Sequence, residues 1–508
     1  MVQRVLSASI IGLNVDIIEV EVDIQKKVPS FEIVGLPDTT VKESKERVRS
    51  AITNIGYMFP LNRILVNLVP AYIKKEGSIL DTAIAIGILL GSGQIEDSGI
   101  IDINNTVFVG ELSLDGQLKY TKGILPVVLR AIELGFRNIF VPEVNKEECK
   151  IVSKDINIFP VKNLLEITET LEGKINTTPL EFELTTNKNE TLSLDFSDVR
   201  GQYSAKRAIE IAAAGGHNIL MVGGPGGGKT MLAKRIPTIL PEMDMKEIIE
   251  TTKIYSVAGL LDGKGIITER PFRAPHHTSS DVAIIGGGRI PKPGEISLAH
   301  NGVLFLDELQ EFKSNVLQVL RQPLEEGIIT ISRAEGNVTF LANFMFVGAM
   351  NVGKDNSDSV YSSTDIAKIL HKISTPFIDR IDMHIEVPRV KFQDIVENPN
   401  NSKKSEHYRE RVIKAREIQK ERYQKLGLNI KTNSKIPPNL ISEICQISDS
   451  SRKLLEVVMS KFKISMRSYH KILKISRTIA DLDGNEIIQD HHVAEAVQYR
   501  VLDKIVYS

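Results

Sequence analysis

Met221-Val222-Gly223-Gly224-Pro225-Gly226-Gly227-Gly228-Lys229-Thr230 lies between two segments of different character. Asn218-Ile219-Leu220-Met221-Val222 reads as a buried strand, and Met231-Leu232-Ala233-Lys234-Arg235-Ile236 reads as a helix. Strand, glycine loop and helix in that order predict an α/β core with a phosphate loop at the end of one strand. The glycines Gly223, Gly224, Gly226, Gly227 and Gly228, with Pro225 among them, let successive backbone N–H groups turn inward into a nest. With the start of a helix behind it, such a nest suits an anion of triphosphate shape. Lys229 offers a point charge to the β- and γ-phosphates, and Thr230 offers a hydroxyl to Mg2+. ATP with Mg2+ is the expected ligand. The bland alternative is a glycine-rich turn that binds nothing, and the polar groups that close two later strands weaken it.

Gly302-Val303-Leu304-Phe305-Leu306-Asp307-Glu308-Leu309 is a second apolar strand, and it ends in two carboxylates. Phosphoryl transfer to water asks for such a pair, Asp307 to hold hydrated Mg2+ and Glu308 to orient and deprotonate the attacking water. Phe344-Met345-Phe346-Val347-Gly348-Ala349-Met350-Asn351 is a third apolar strand, closed by an amide. Pro376-Phe377-Ile378-Asp379-Arg380-Ile381-Asp382 places one arginine between two aspartates. Offered to a neighbouring subunit's γ-phosphate, a guanidinium there neutralises transition-state charge, worth about 10³ to 10⁵ in rate where it operates. A local ion pair with the aspartates is the alternative. If Arg380 acts on a neighbour, the active unit is a ring.

At 508 residues the chain has room for about three domains. With Lys+Arg 63 against Asp+Glu 64 it has no global field, so a nucleic-acid surface would have to come from local clustering. The two cysteines, Cys149 and Cys445, stand in no ligand spacing and read as inert thiols of a reducing compartment. Acidic residues from Asp16 onward interrupt any leader-like segment, and the longest apolar run, Ala83 to Leu90, is too short to span a bilayer. A cytoplasmic protein with no membrane contact is expected.

Residues 1–172 read as an α+β domain, with strands at Val15 to Val22 and Arg63 to Leu68 and helices at Lys42 to Ile55 and Asp81 to Leu90. Lys75-Glu76-Gly77-Ser78, Gly110-Glu111-Leu112-Ser113-Leu114-Asp115-Gly116 and Phe140-Val141-Pro142 resemble phrases of the proteolytic domain of Lon-type proteases. The resemblance puts the nucleophile at Ile79 and the general-base lysine at Leu125, so it implies a scaffold or substrate-engaging platform rather than a peptidase. Residues 173–197 are polar and aperiodic and read as a linker.

The core is expected over 198–390, with a helix from Ala205 to Ala214. Proline and glycine mark Arg270 to Ser279 and Ile285 to Arg289 as loop, and the pair His276-His277 lies in no recognisable metal set. Gly327 to Phe340 reads as a β-hairpin with a polar tip. Arg273, Arg289 and Arg333 are candidates for phosphate-backbone contact, against the plainer reading of surface arginines. Residues 391–508 are expected to be helical. Lys403 to Leu426, with Arg409, Arg411, Lys414, Arg416, Lys420 and Arg422, reads as a solvated amphipathic helix, with a basic DNA-facing stripe as the second reading. A further helix begins near Ile464 and ends near Asp483-Gly484.

The ordered set Gly223 to Thr230, Ala274-Pro275-His276-His277, Gly302 to Leu309, Asn351, Phe377 to Asp382 and Ser465-Met466-Arg467 resembles the magnesium-chelatase-like AAA+ proteins of the ComM (YifB) family, over essentially the whole chain. The resemblance implies an adenine-contacting position around Asp198 to Gln202, a first sensor at Asn351 and a second at Arg467 reaching the γ-phosphate in cis. It places the two insertions where related helicases carry pore-lining loops. It further implies a ring, six-membered by preference, that hydrolyses ATP and acts on single-stranded or branched DNA in branch migration during natural transformation, alongside other recombination or competence proteins. One departure stands out: family members often continue past the sensor asparagine with a cysteine-rich segment, and Asn351-Val352-Gly353-Lys354-Asp355-Asn356 has none. Two other readings stay open, the motor subunit of a magnesium chelatase and an ATP-dependent switch or scaffold that translocates nothing.

Overall fold

The computed structural model describes residues 2–183, 194–261, 265–288, 291–333, 336–351, 373–389, 403–462 and 465–500. The chain builds a mixed-sheet N-terminal domain, a parallel α/β core and a C-terminal helical region.

The first sheet has seven strands: β1 (Gln3–Ile11), β2 (Asn14–Gln25), β3 (Ser30–Val34), β4 (Arg63–Val69), β5 (Thr106–Phe108), β6 (Asn138–Pro142) and β7 (Asn157–Val161), in the order β3-β4-β2-β1-β5-β6-β7. The strict alternation in β2 buries Ile18, Val20 and Val22, with Val20 opposite Val5 on one side and Leu68 on the other. From β1 outward through β5, β6 and β7 the pairing is parallel, so the expected α+β domain carries a βαβ-like half. Helix α1 (Thr39–Asn54) starts on Asp38, whose carboxylate accepts the Val41 N–H at 2.8 Å. Helix α2 (Asp81–Gly91) is apolar almost all round and almost wholly buried. It approaches the sheet so closely that a Cβ on Gly87 would lie 2.7 Å from Val22 Cγ2. Helix α3 (Ile124–Glu133) crosses from β5 to β6. Ile79 and Leu125, the positions matched to a Ser–Lys dyad, are 5% and 0% exposed in this apolar core.

Helix α4 (Tyr203–Gly215) opens the core. Its parallel sheet is β8 (Ile219–Gly223), β9 (Phe272–Arg273), β10 (Val303–Leu306), β13 (Met345–Asn351) and β14 (Met383–Glu386), in the order β9-β10-β13-β8-β14. The intervening pair β11 (Ile328–Arg333) and β12 (Gly336–Leu341) is the expected hairpin. Continuous apolar runs suit strands covered on both faces, and β8 and β10 are buried at every position. Two expectations need correction. Phe272–Arg273, read as loop, is the fifth strand of the core, paired with Val303 and Leu304; two residues are too few to show a period. The helix after the glycine loop, α5, runs only Lys229–Ala233 and gives way to a 3₁₀ turn at Ile236–Ile239, where Pro237 stands.

Helix α6 (Met245–Ala258) ties the first two domains together. Met243 and Ile248 belong to the apolar core of the first domain, and Gly123 N–H donates to Ser256 O at 3.1 Å. A second tie is the β1–β2 turn, where Leu13 joins the apolar cluster of the hairpin and Gly12, at φ +63°, passes close to Val338 and Phe340. The linker is anchored at both ends: Leu180 N–H donates to Ile158 O at 2.8 Å, and Phe196 is buried in the core, its N–H donating to Ser405 Oγ.

Helix α7 (Arg321–Glu326) leads into the hairpin. The C-terminal region is α8 (Ser405–Lys425), α9 (Asp449–Phe462), α10 (Met466–Leu482) and α11 (Asp490–Gln498). Helix α10 starts on Ser465, whose hydroxyl accepts the Ser468 N–H at 3.2 Å. Helix α8 departs from both of its sequence readings. Arg411 pairs with Glu210 at 2.9 Å, Arg416 donates to Ala213 O at 2.7 Å, and Arg422 pairs with Asp481, so its arginines fasten it to α4 and α10. Only Lys414 and Lys420 of the six basic residues are exposed; the four arginines are half-buried. Both cysteines are buried free thiols, and burial pushes the Cys445 thiol up to about 12. No helix among the described residues is long and apolar enough to cross a membrane.

Candidate functional site

In a parallel sheet every strand finishes on the same edge. Gly223 ends β8, Asn351 ends β13 directly beside it, and Asp307 and Glu308 follow β10. The loop Gly224 to Gly228 closes over this edge. Gly226 and Gly228 have φ of +78° and +85°, a region that side chains resist. Gly223 is needed for a different reason, since a Cβ there would lie 2.2 Å from Val387 O.

Lys229 is 5% exposed and donates to Gly223 O at 3.0 Å and Gly224 O at 2.8 Å. Burial pulls its ammonium below the ordinary lysine value, and Asp307 opposes that shift. Thr230 Oγ1 donates to Asp307 Oδ2 at 2.6 Å, and Asp307 Oδ1 accepts the Glu308 N–H at 2.9 Å. Two hard oxygens from Thr230 and Asp307 converging on one point suit Mg2+. Glu308 stands at φ +50°, a strained backbone for a residue with a side chain. Because α5 is so short, the backbone nest carries more of the anion attraction than any helix dipole.

Three neighbours of this edge make contacts that the sequence does not predict, although Gln202 falls in the stretch expected to contact the adenine and His277 in the pair read as lying in no metal set. His277 Nδ1 lies 3.4 Å from Glu308 Oε2, so this imidazole faces the candidate base. Arg389 Nε donates to Pro225 O at 3.2 Å. Gln202 Nε2 donates to Gly227 O at 3.0 Å and Pro388 O at 2.6 Å, bracing the loop from outside. Phe272-Arg273-Ala274-Pro275-His276-His277 gives no hint in sequence that the imidazole meets Glu308, because β9 and β10 pair only in the folded chain.

The opposite edge, where the strands begin, holds a cleft of about 1030 Å³ between core and helical region. Asn218, Gly302, Met345 and Asp382, at the starts of four strands, line it. So do Arg380 and Arg467. Both reach the same oxygen: Arg380 Nε is 2.9 Å and Arg467 Nη2 3.2 Å from Glu325 Oε1. Lys471, one turn beyond Arg467 on α10, clamps the turn that carries Arg380 by donating to the carbonyls of Asp379 and Ile381. The five residues of β8 separate this cleft from the glycine loop by about 15 Å. Arg467 therefore does not reach the phosphate loop of its own chain, which corrects the expectation of a contact in cis. Arg380 pairs with Glu325, not with the flanking aspartates.

Among the candidates for DNA contact, Arg273 is engaged in a bidentate pair with Glu295, both bonds at 2.5 Å. Arg289, the side chain of Arg333 and the segment Val352 to Asn356 lie outside the described residues.

Over residues 195–395 the chain matches the family model described as magnesium chelatase, subunit ChlI. Residues 20–145 match the model for subunit ChlI of Mg-chelatase, and 402–500 that for its C-terminal part. It is 42% identical to competence protein ComM of Haemophilus influenzae, over 99% of this chain and 98% of that one. It is 39% identical to the uncharacterized protein YifB of Escherichia coli, over 98% and 96%. Similarity to the magnesium-chelatase 67 kDa subunit of Chlorobaculum tepidum is 26% and covers 30% of this chain and 22% of that one.

Proposed function

The chain belongs to the magnesium-chelatase-like ATPase family that includes ComM and YifB, and on that premise we propose that it is a head-to-tail ring motor that hydrolyses ATP and remodels branched DNA. The observation that carries the ring is the division of labour across one sheet. Phosphate-loop residues occupy the finishing edge and Arg380 with Arg467 the starting edge, about 15 Å apart. Two half-sites on opposite edges are satisfied only by different copies, and a heterologous contact of that kind closes into a ring when its rotation permits.

In this reading Lys229 exchanges the carbonyls of Gly223 and Gly224 for the β- and γ-phosphates. Thr230 and Asp307 hold Mg2+, which neutralises phosphate charge when bound. Glu308 takes the proton of the attacking water, Asn351 orients that water or the γ-phosphate, and Arg380 of the next copy meets the developing charge. DNA as the client rests on the competence role in the name of the Haemophilus relative, together with the hairpin of β11 and β12. Full-length identity to ComM and YifB, against 26% over 30% of this chain for the chelatase 67 kDa subunit, gives the metal-insertion alternative less support.

The test is steady-state ATP hydrolysis with no DNA, single-stranded DNA or a four-way junction at fixed salt. Turnover is expected to rise with DNA and most with the junction, while Glu308→Gln binds ATP and turns it over at least about 100-fold more slowly. Robust turnover indifferent to every DNA would overturn the DNA assignment and direct attention to protein clients.

A further inference from the structure

Glu325 is the penultimate residue of α7, and α7 is fastened in three directions. Arg321 Nη2 donates to Ser374 Oγ at 2.8 Å, at the start of the turn that carries Arg380. Gln322 accepts the Thr330 N–H at 3.2 Å and donates to Thr330 Oγ1 at 3.3 Å, which ties the helix to the hairpin. Glu325 reaches Arg380 in the core and Arg467 on the helical region through one oxygen. The two guanidinium nitrogens on that oxygen therefore lie within about 6 Å of each other, a separation that only an intervening anion makes favourable.

The fit at that oxygen is incomplete. The contact with Arg380 is ionic without being an aligned hydrogen bond, and Arg380 Nε is a buried donor with no aligned acceptor among the described residues. Glu325 is itself 45% exposed, so its carboxylate is open to exchange. A tetrahedral phosphate presents several oxygens where Glu325 presents one to both arginines.

We infer that Glu325 is a positioning residue that stands in for the γ-phosphate of a neighbouring copy's nucleotide: it holds Arg380 and Arg467 convergent, and its displacement by that phosphate releases α7 and the adjoining hairpin. The inference rests on the trans site proposed above and gives it a second arginine and a mechanical output. Gly327, at φ +71° between α7 and β11, is the joint through which a change at Glu325 reaches the hairpin.

The experiment measures ATP turnover against protein concentration, at saturating ATP, for wild type, Glu325→Gln, Glu325→Ala and Arg380→Ala, with and without four-way-junction DNA. Thermal melts of each variant confirm folding. A competing carboxylate weakens assembly, so Glu325→Gln and Glu325→Ala are expected to reach half-maximal turnover at roughly 3- to 10-fold lower protein concentration and to lose most of the response to DNA. Arg380→Ala is expected to be inactive at every concentration. If Arg380→Ala is inactive but both Glu325 variants keep the wild-type concentration dependence, need more protein or lose turnover uniformly, the inference is overturned and the trans site stands. Full turnover in Arg380→Ala removes the trans site and the inference with it.

Discussion

His217 shows how much one side chain carries at the seam between core and helical region. Its Nε2 contacts Thr478 Oγ1 at 2.8 Å, and because Thr478 donates its own proton to Lys474 O, the imidazole is the donor. Burial brings its pKa from the ordinary 6.5 to about 4; Asp382 opposes the shift, and Lys474, Arg416 and Lys471 add to it. The unfolded chain thus gains a proton below pH 6.5 that the folded chain refuses until about 4. The stability involved is complete above the higher value and falls through that window by about 3 kcal/mol. Asp382 is half-buried, which raises its carboxyl, yet Lys471 and His217 keep it below the usual range, so its own loss begins only at lower pH. Melting temperatures of the wild type should decline from pH 7 to 4.5, and His217→Gln should flatten that decline; parallel curves would assign the loss to other groups. The phosphate-loop positions were legible at this scale because each closes an apolar strand with a telling polar group. Lys229 and Thr230 follow β8 and Asp307 follows β10, and Thr230 meets Asp307 across 77 residues of chain, whereas His277, Arg389 and Glu325 close no such strand and are defined only by the partners the fold brings to them.

Helix α8 is where element and charge pattern part company. A run of arginines interleaved with glutamates looks solvated in one dimension, yet Val412, Ala415, Gln419 and Tyr423 are buried and three of the arginines turn back onto α4 and α10. Sequence pattern registers that an arginine is charged, not which carboxylate or carbonyl it will meet. Arg422→Ala strands the buried Asp481 with Arg477 as its remaining cation and should cost about 2 kcal/mol or more of stability. It should leave the slope of log K against log salt for DNA binding unchanged, whereas a true phosphate contact would lower that slope by about one. Calorimetry and a salt titration separate the two. Strand β9 is the complementary case: an edge strand of two residues has no period to read, and only pairing with β10 defines it.

At the scale of the molecule, the three-part order from mixed sheet to parallel core to helices was legible because each part has its own hydrophobic rhythm. The edge on which Arg467 would fall was not, since that depends on how the helical region docks. A head-to-tail ring makes a quantitative demand. Lys229→Ala and Arg380→Ala chains, each inactive alone, should regain about a quarter of wild-type turnover when mixed equally, because a quarter of random junctions pair an intact loop with an intact arginine. No recovery on mixing would argue that each chain completes its own site. The first domain has a stake in the hairpin movement proposed above. Leu13 and Gly12 rest on Val338 and Phe340, so the hairpin cannot slide by one residue, about 3.3 Å, without either carrying the seven-stranded sheet along or opening a dry seam to water. In the proposed ring motor, a domain so placed would be a load on the stroke, and whatever grips its surface would set the gear in which the motor runs.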